Sequence, residues 1–164
     1  MTISSIVGNK AKKLFTLAFI RRDNQVLLGL KKRGFGVGKW NGFGGKLNPN
    51  ETLIDAAQRE LEEECGLRSD HLAKMGVLYF EFEDNPVLME VHVFQTSDFT
   101  GEVKESEEMK PQWYDLRDVP FSRMWPDDVF WWPYLLEERK FTGYFKYKDQ
   151  ETIVDYVIEE TAAL

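Results

Sequence analysis

Residues 45–67, GKLNPNETLIDAAQRELEEECGL, decide how the rest of the chain is read. Leu53, Ala57 and Leu61 recur at helical spacing and make an apolar stripe. Pro49-Asn50 breaks the chain before the stripe, and Gly66 stands where a helix C-terminal stop belongs. The stretch therefore predicts an amphipathic helix ending at Gly66. Its other face carries Glu60, Glu63 and Glu64 at i, i+3 and i+4, so three carboxylates share one patch. Like charges at that spacing cost a helix roughly 0.2–0.5 kcal/mol per pair. A local rule broken without visible compensation points to a functional site. A hard divalent cation is the simplest compensation, because it prefers clustered carboxylate oxygens. Arg59 lies beside the cluster and is placed to pair with Glu63.

Three glutamates alone read as a solvated acidic face. Their surroundings change that. Gly44-Gly45 lies upstream, where bare backbone can approach a metal or a phosphate. Glu51 stands beyond the next loop. The set Gly45, Glu51, Arg59-Glu60-Leu61, Glu63-Glu64 and Gly66-Leu67 resembles the Nudix box in each signature position. The resemblance implies an α+β fold, an α/β/α sandwich with a mixed sheet flanked by helices. It also implies a Mg²⁺-dependent pyrophosphohydrolase acting on a nucleoside diphosphate linked to another group.

Working outward, the chain shows no repeat, linker or low-complexity tract. At 164 residues it reads as one domain over 1–164, with residues 1–10 a short flexible start. It is 43% hydrophobic and 30% charged, ordinary for a globular chain. The net charge of −7 argues against a nucleic acid polymer as partner. An anionic nucleotide bridged by metal ions stays compatible with it. No apolar run is long enough to cross a bilayer. Cys65 is the sole cysteine, which precludes an internal disulfide and fits a reducing compartment; it reads as a packing residue. Residues 1–22 lack Asp and Glu and carry five basic residues, faintly like a mitochondrial presequence. Since 13–22 also reads as the first strand, a cytoplasmic location is expected, with nuclear and mitochondrial fractions left open. No heptad or exposed apolar strip is evident, so a monomer is expected.

Residues 14–20 and 25–30 read as a hairpin about Asp23-Asn24. The segment KKRGFGVGKWNGFGG, residues 31–45, is rich in glycine and reads as a loop without regular structure. Its Lys31, Lys32 and Arg33 suit a polyphosphate; the alternative is a flexible basic surface loop. Residues 74–83 and 87–96 alternate as antiparallel strands about Asp84-Asn85-Pro86. Residues 98–110 read as a solvated acidic loop, and 111–116 as a short strand. Residues 127–139 look helical, with Pro133 kinking or delaying the helix. A final hairpin spans 141–148 and 152–158. His71 and His92 read as surface or structural residues.

By resemblance, the Gly44 carbonyl, Glu60, Glu63, Glu64 and Glu108 form the metal set, with Arg59 completing the catalytic group. Glu63 and Glu108 both stay open as the general base. For the base site, FSRMWPDDVFWWP (121–133) sets aromatic residues beside paired aspartates. Trp125 offers a π-face for a purine, worth about 1–3 kcal/mol when a base stacks on it. Asp127 and Asp128 are adjacent and resist joint ionisation, so one can hold a proton and the pair can both donate and accept. The competing reading is that they cap the following helix.

KKRGFG, KWNGFGGK, LMEVHVF, MWPDD and KFTGYFK together resemble one branch of the same family, that of the vertebrate MutT homologues. This implies hydrolysis of oxidised purine nucleoside triphosphates (8-oxo-dGTP, 2-hydroxy-dATP, 8-oxo-dATP) to the monophosphate and pyrophosphate, sanitising the nucleotide pool. Methylated purine triphosphates such as O6-methyl-dGTP and N6-methyl-dATP are further candidates. It also implies base readers Asn41, Trp125, Asp127 and Asp128, with Thr16, Lys31, Phe35, Phe80, Phe82, Met89 and Trp131 lining the pocket. For Phe80, Phe82 and Met89 ordinary core packing is the equal alternative. Rival readings are a Nudix hydrolase of ADP-ribose, dinucleotides or mRNA caps, a nucleotide-binding module without catalysis, and a structural interaction domain.

Overall fold

A computed structural model describes residues 2–164. The elements in chain order are α1 (Ile3–Val7), β1 (Lys12–Arg22), β2 (Gln25–Lys31), β3 (Trp40–Asn41), α2 (Leu53–Cys65), β4 (Ala73–Phe82) and β5 (Asn85–Thr96), followed by β6 (Met109–Asp115), a 3₁₀ turn (Phe121–Arg123), α3 (Asp128–Leu136), β7 (Phe141–Asp149) and β8 (Thr152–Glu160). The strands form a mixed sheet in the order β3-β2-β1-β5-β4-β7-β8, with β6 also pairing with β2. β1/β5 and β4/β7 are parallel; the other pairs are antiparallel.

Alternation along the strands sorts their side chains onto two faces. Phe19, Val26, Leu28, Val91 and Val93 pack under α3 with Trp131, Trp132 and Leu135. Ile20 and Leu27 face the other way, onto Leu61 and Cys65 of α2. Ala18 and Phe94 meet Ala57 on that same side. The sheet is thus buried on both faces, the sandwich expected from the sequence.

α2 begins where Thr52 Oγ1 accepts the Asp55 N–H at 3.2 Å. It ends where Gly66, in the left-handed region at φ 82°, donates its N–H to the Glu62 carbonyl at 2.9 Å. A Cβ on Gly66 would also stand 2.8 Å from the Glu102 carbonyl oxygen. Gly66→Ala is therefore expected to destabilise the protein by about 1–3 kcal/mol, lowering Tm by several degrees; an unchanged thermal melt would refute this account of the helix stop.

Four expectations are corrected. Residues 3–7 are a helix, not part of a flexible start: Ile3 and Val7 are buried against Leu88 and Tyr144. These partners lie far along the chain, so nothing local announced the helix. The glycine-rich loop contains a short strand, with Asn41 and Trp40 pairing with Gly29 and Leu30. α3 runs through Pro133 without stopping and ends at Leu136. An apolar patch is exposed after all, since Val129, Phe130, Val154 and Tyr156 all lie open on α3 and β8, with the Phe130 and Tyr156 rings tilted against each other at 4.7 Å.

Candidate active site

The acidic face of α2 is organised by one guanidinium. Arg59 Nε and Nη2 donate to the two oxygens of Glu51 at 2.7 and 2.9 Å. Its Nη1 reaches Glu60 Oε1 at 3.0 Å and Glu63 Oε2 at 3.1 Å. Nη2 also donates to the Lys46 carbonyl at 3.1 Å, tying the helix to the loop behind it. The Arg59 hydrogen bonds pull the Glu51 carboxyl down to about 2. Arg59 is therefore the hub that orients the cluster, serving Glu51 and Glu60 as well as Glu63.

Glu60 and Glu64 press against the Gly44-Gly45 backbone. A Cβ on Gly45 would stand 2.8 Å from Glu60 Oε1, and one on Gly44 would collide with the Thr16 carbonyl. The Gly44 N–H donates to Glu64 Oε1 at 2.8 Å. Burial pushes the Glu64 carboxyl up to about 8, against the Gly44 hydrogen bond; Glu60 adds to the rise and Lys31 opposes it. Burial also raises Glu60, against its Arg59 partner. Buried Glu64, which lacks an ion-pair partner among the described residues, and half-buried Glu60, which shares Arg59 with two other carboxylates, lie beside glycine backbone with no room for a side chain and fit a hard divalent cation.

Glu108 arrives from far along the chain. Ser106 Oγ donates to the Glu64 carbonyl at 2.8 Å, and the Lys104 N–H donates to the Cys65 carbonyl at 2.8 Å. These bonds pin the acidic loop to the end of α2. Lys31 Nζ and Arg33 Nε donate to Glu108 at 2.9 and 2.6 Å and hold its carboxyl below the usual range. Glu63 lies on the outer side, 58% exposed. Among the described residues, no three acidic or histidine side chains form a ready-made metal-binding group. Glu60 and Glu64 are brought together at Gly44-Gly45, Glu63 shares Arg59 Nη1 with Glu60, and Glu108 is paired with Lys31 and Arg33.

A cavity of about 290 Å³ opens beside this cluster and shares Gly44, Gly45, Lys31 and Glu64 with it. Phe35 packs against Trp125 with ring planes tilted by 34° and centroids 5.1 Å apart, and meets Phe82 edge-on at 5.7 Å. Phe80, Phe82 and Met89 are only partly buried and line the same space, which favours pocket over core for all three. Asn41 enters from β3, and its Oδ1 accepts the Gly42 N–H at 2.8 Å. Thr16 is buried at the edge nearest Gly44, and its Oγ1 has no hydrogen-bond partner.

Asp127 and Asp128 are almost wholly buried at the far end. Trp131 Nε1 donates to Asp127 Oδ2 at 2.7 Å, and the Tyr147 hydroxyl donates to Oδ1 at 2.5 Å. Asp128 Oδ2 has no partner. Asp127 occupies the N-cap position of α3 but makes no capping hydrogen bond, while Asp128 stands in the first turn, where the helix dipole favours an acidic residue. Burial raises both carboxyls; for Asp128 the charge of Asp127 adds to it, and the rise is large. The two donors on Asp127 favour its charged form, whereas burial and the neighbouring Asp127 charge push Asp128 toward its protonated form. Trp131 lines the cavity and holds Asp127 through Nε1.

Three contributors were not read as site residues from the sequence. Tyr147 lies in an ordinary alternating strand, and only the parallel pairing of β7 with β4 brings it to Asp127. Lys39 lines the cavity from the glycine-rich loop; its position beside Trp40 was the available signal. Glu51 was read in the motif without its role on Arg59. His71 is an exposed partner of Asp98, and His92 is buried with Glu90 at 2.7 Å, both outside the cavity. Cys65 is buried, its thiol pushed up to about 12 by burial, as a packing residue should be.

The NUDIX domain family matches residues 13–135. The oxidized purine nucleoside triphosphate hydrolase of Mus musculus is 51% identical over 148 residues, covering 90% of this chain and 95% of its own. The Danio rerio protein of the same name is 49% identical, covering 93% and 97%. Among solved structures, a mutator MutT protein from Bacillus halodurans superposes with a TM-score of 0.80 over 90% of this chain and 97% of its own, at 24% identity. That likeness concerns the fold.

Proposed function

The chain belongs to the NUDIX family, and from that premise we propose that it hydrolyses oxidised purine nucleoside triphosphates to the monophosphate and pyrophosphate. Both mammalian and fish relatives near 50% identity carry the name of that activity. The observation that carries the reading is the buried Asp127–Asp128 pair beside Trp125, in a cavity that runs to the Glu60–Glu64 cluster. A carboxylate next to a carboxylic acid accepts one hydrogen bond from a purine edge and donates another. Trp125 and Phe35 supply the stacking faces. Asn41 adds an amide at the same wall.

At the other end, Lys31 and Arg33 set positive charge where a polyphosphate would lie. The Gly44 carbonyl, Glu60 and Glu64 would hold a divalent cation, which we take to be Mg²⁺. Bound there, that ion would supply charge against the polyphosphate and acidify a water. Glu108, paired with Lys31 and Arg33, and Glu63, paired with Arg59, are the two candidates for the base that takes a proton from the attacking water. Action as a monomer in the cytoplasm, with nuclear and mitochondrial fractions, belongs to the same proposal.

A panel of 8-oxo-dGTP, 2-hydroxy-dATP, O6-methyl-dGTP, dGTP, dATP and ADP-ribose, with Mg²⁺ and with a chelator, tests it. The expected result is metal-dependent pyrophosphate release with kcat/KM favouring the modified purines. Cleavage of ADP-ribose alone would keep the family chemistry and refute the assignment of Trp125, Asp127 and Asp128.

A further inference from the structure

Four buried side-chain atoms without a hydrogen-bond partner belong to residues that line cavities. Thr16 Oγ1 and Asp128 Oδ2 lie at the base cavity. Arg21 Nε and Gln95 Oε1 lie at a second cavity of about 430 Å³, which shares no residue with the first. Of this second pair, one atom is a donor and the other an acceptor. A buried polar atom left unpaired gives up its hydration without return. Two such atoms of opposite kind around one space point to a ligand that answers both.

Sheet and helix build the second cavity together. Parallel pairing sets Phe19 beside Gln95, so Arg21, two residues on, shares the face on which Gln95 stands. Both side chains hold the end of α3. Gln95 Nε2 donates to the Leu135 carbonyl at 3.0 Å, and Arg21 Nη1 donates to the Leu136 carbonyl at 3.4 Å. Those bonds fix the two side chains and leave Gln95 Oε1 and Arg21 Nε over. Gln95 is only 6% exposed, with Met75 and Thr96 buried beside it. The same cavity is lined by Asp98, which pairs with His71 at 2.9 Å, and by exposed Glu138 just past α3. Arg21 and Glu138 form no ion pair among the described residues, with each other or with a third group. The cavity therefore combines an uncompensated guanidinium, an uncompensated carboxylate and an amide oxygen that still accepts. A lone anion would meet Glu138 and Asp98, and a lone cation would meet Arg21. A molecule carrying both charges avoids both conflicts.

We propose that this cavity is a second ligand site, separate from the base cavity, that takes a small α-amino carboxylate. The carboxylate accepts from the Arg21 guanidinium, and the ammonium donates to Gln95 Oε1 and faces Glu138. The assignment stands apart from the nucleotide that the base cavity takes.

The test titrates glycine, L-serine, lactate, acetate and methylamine into the isotope-labelled full chain and follows side-chain amide signals by NMR. The expected result is saturable binding of glycine and L-serine that moves the Gln95 amide and leaves the Asn41 amide of the base cavity in place. Lactate, acetate and methylamine each lack one of the two charges and should bind at least about tenfold more weakly. Arg21→Met should weaken glycine at least about tenfold as well. Glu138→Gln keeps the size of the side chain and removes its charge; it should weaken glycine about threefold while melting like the wild type without ligand. This variant and the ligand panel decide the matter even if Arg21→Met fails to fold. Any one of four results would overturn the proposal: no saturable binding of glycine or L-serine, a shift at Asn41 instead of Gln95, affinity unchanged in both variants, or lactate binding as tightly as glycine.

Discussion

Replacing Glu64 by Gln is expected to lower kcat on the order of 10³-fold, the scale set by removing one preorganised electrostatic group from a reacting site. The reason is local and separable from folding. A glutamine oxygen can still accept the Gly44 N–H that Glu64 accepts at 2.8 Å, so the shape of the site survives. What disappears is the negative charge that would hold the cation. Stability moves the other way. The folded Glu64 carboxyl, pushed up to about 8, binds its proton more tightly than the unfolded one. Metal-free wild type therefore loses stability as pH rises from the ordinary carboxylate range toward 8. Glu64→Gln has no such loss. In chelator at pH 8 to 9 it should melt at or above the wild type. An inactive variant that melts well below the wild type would mean that Glu64 matters for the fold rather than for charge.

The second large effect separates the two aspartates. Asp127 accepts from both Trp131 and Tyr147, and an amide offers only one acceptor while turning an NH₂ toward the other donor. Asp127→Asn should thus cost about 1–3 kcal/mol, lower Tm by several degrees and depress kcat/KM for every purine. Asp128→Asn replaces a carboxyl that burial and the Asp127 charge push toward its protonated form by an amide of like shape that still donates. Its melting should stay near the wild type, with activity tilted toward 8-oxo-dGTP and away from 8-oxo-dATP. Thermal melts together with kcat/KM on the two substrates decide the matter. Identical losses on all purines in both variants would remove the proton from the account of specificity.

Residues 45–67 needed no long-range information. The apolar stripe of Leu53, Ala57 and Leu61, the stop at Gly66 and the shared face of Glu60, Glu63 and Glu64 all follow from a period of 3.6 residues. The hairpins about Asp23 and Asp149 were equally legible, because turn residues and strand alternation act within a few positions. For the same reason the acidic cluster and the MWPDD segment could be singled out as sites. What each residue does inside those sites was not written locally. Helix α1 exists because Leu88 and Tyr144 bury Ile3 and Val7. Glu108 reaches the cluster only because Ser106 and Lys104 bond to the end of α2.

Asp127 and Asp128 show the division most sharply. Adjacency alone predicted that they would not both ionise, but not which one keeps the proton. Tyr147, twenty residues away, and Trp131, one helical turn on, supply the two donors that make Asp127 the carboxylate. Lys39 and Glu151 meet across the cavity mouth from opposite parts of the chain. By itself, then, the sequence determined the longer elements, the acidic helix face and the family. The tertiary structure alone decided protonation, ion pairing and pocket shape. Propensity and periodicity depend on neighbours a turn or two away, whereas desolvation and charge pairing depend on whatever the fold brings within a few ångströms.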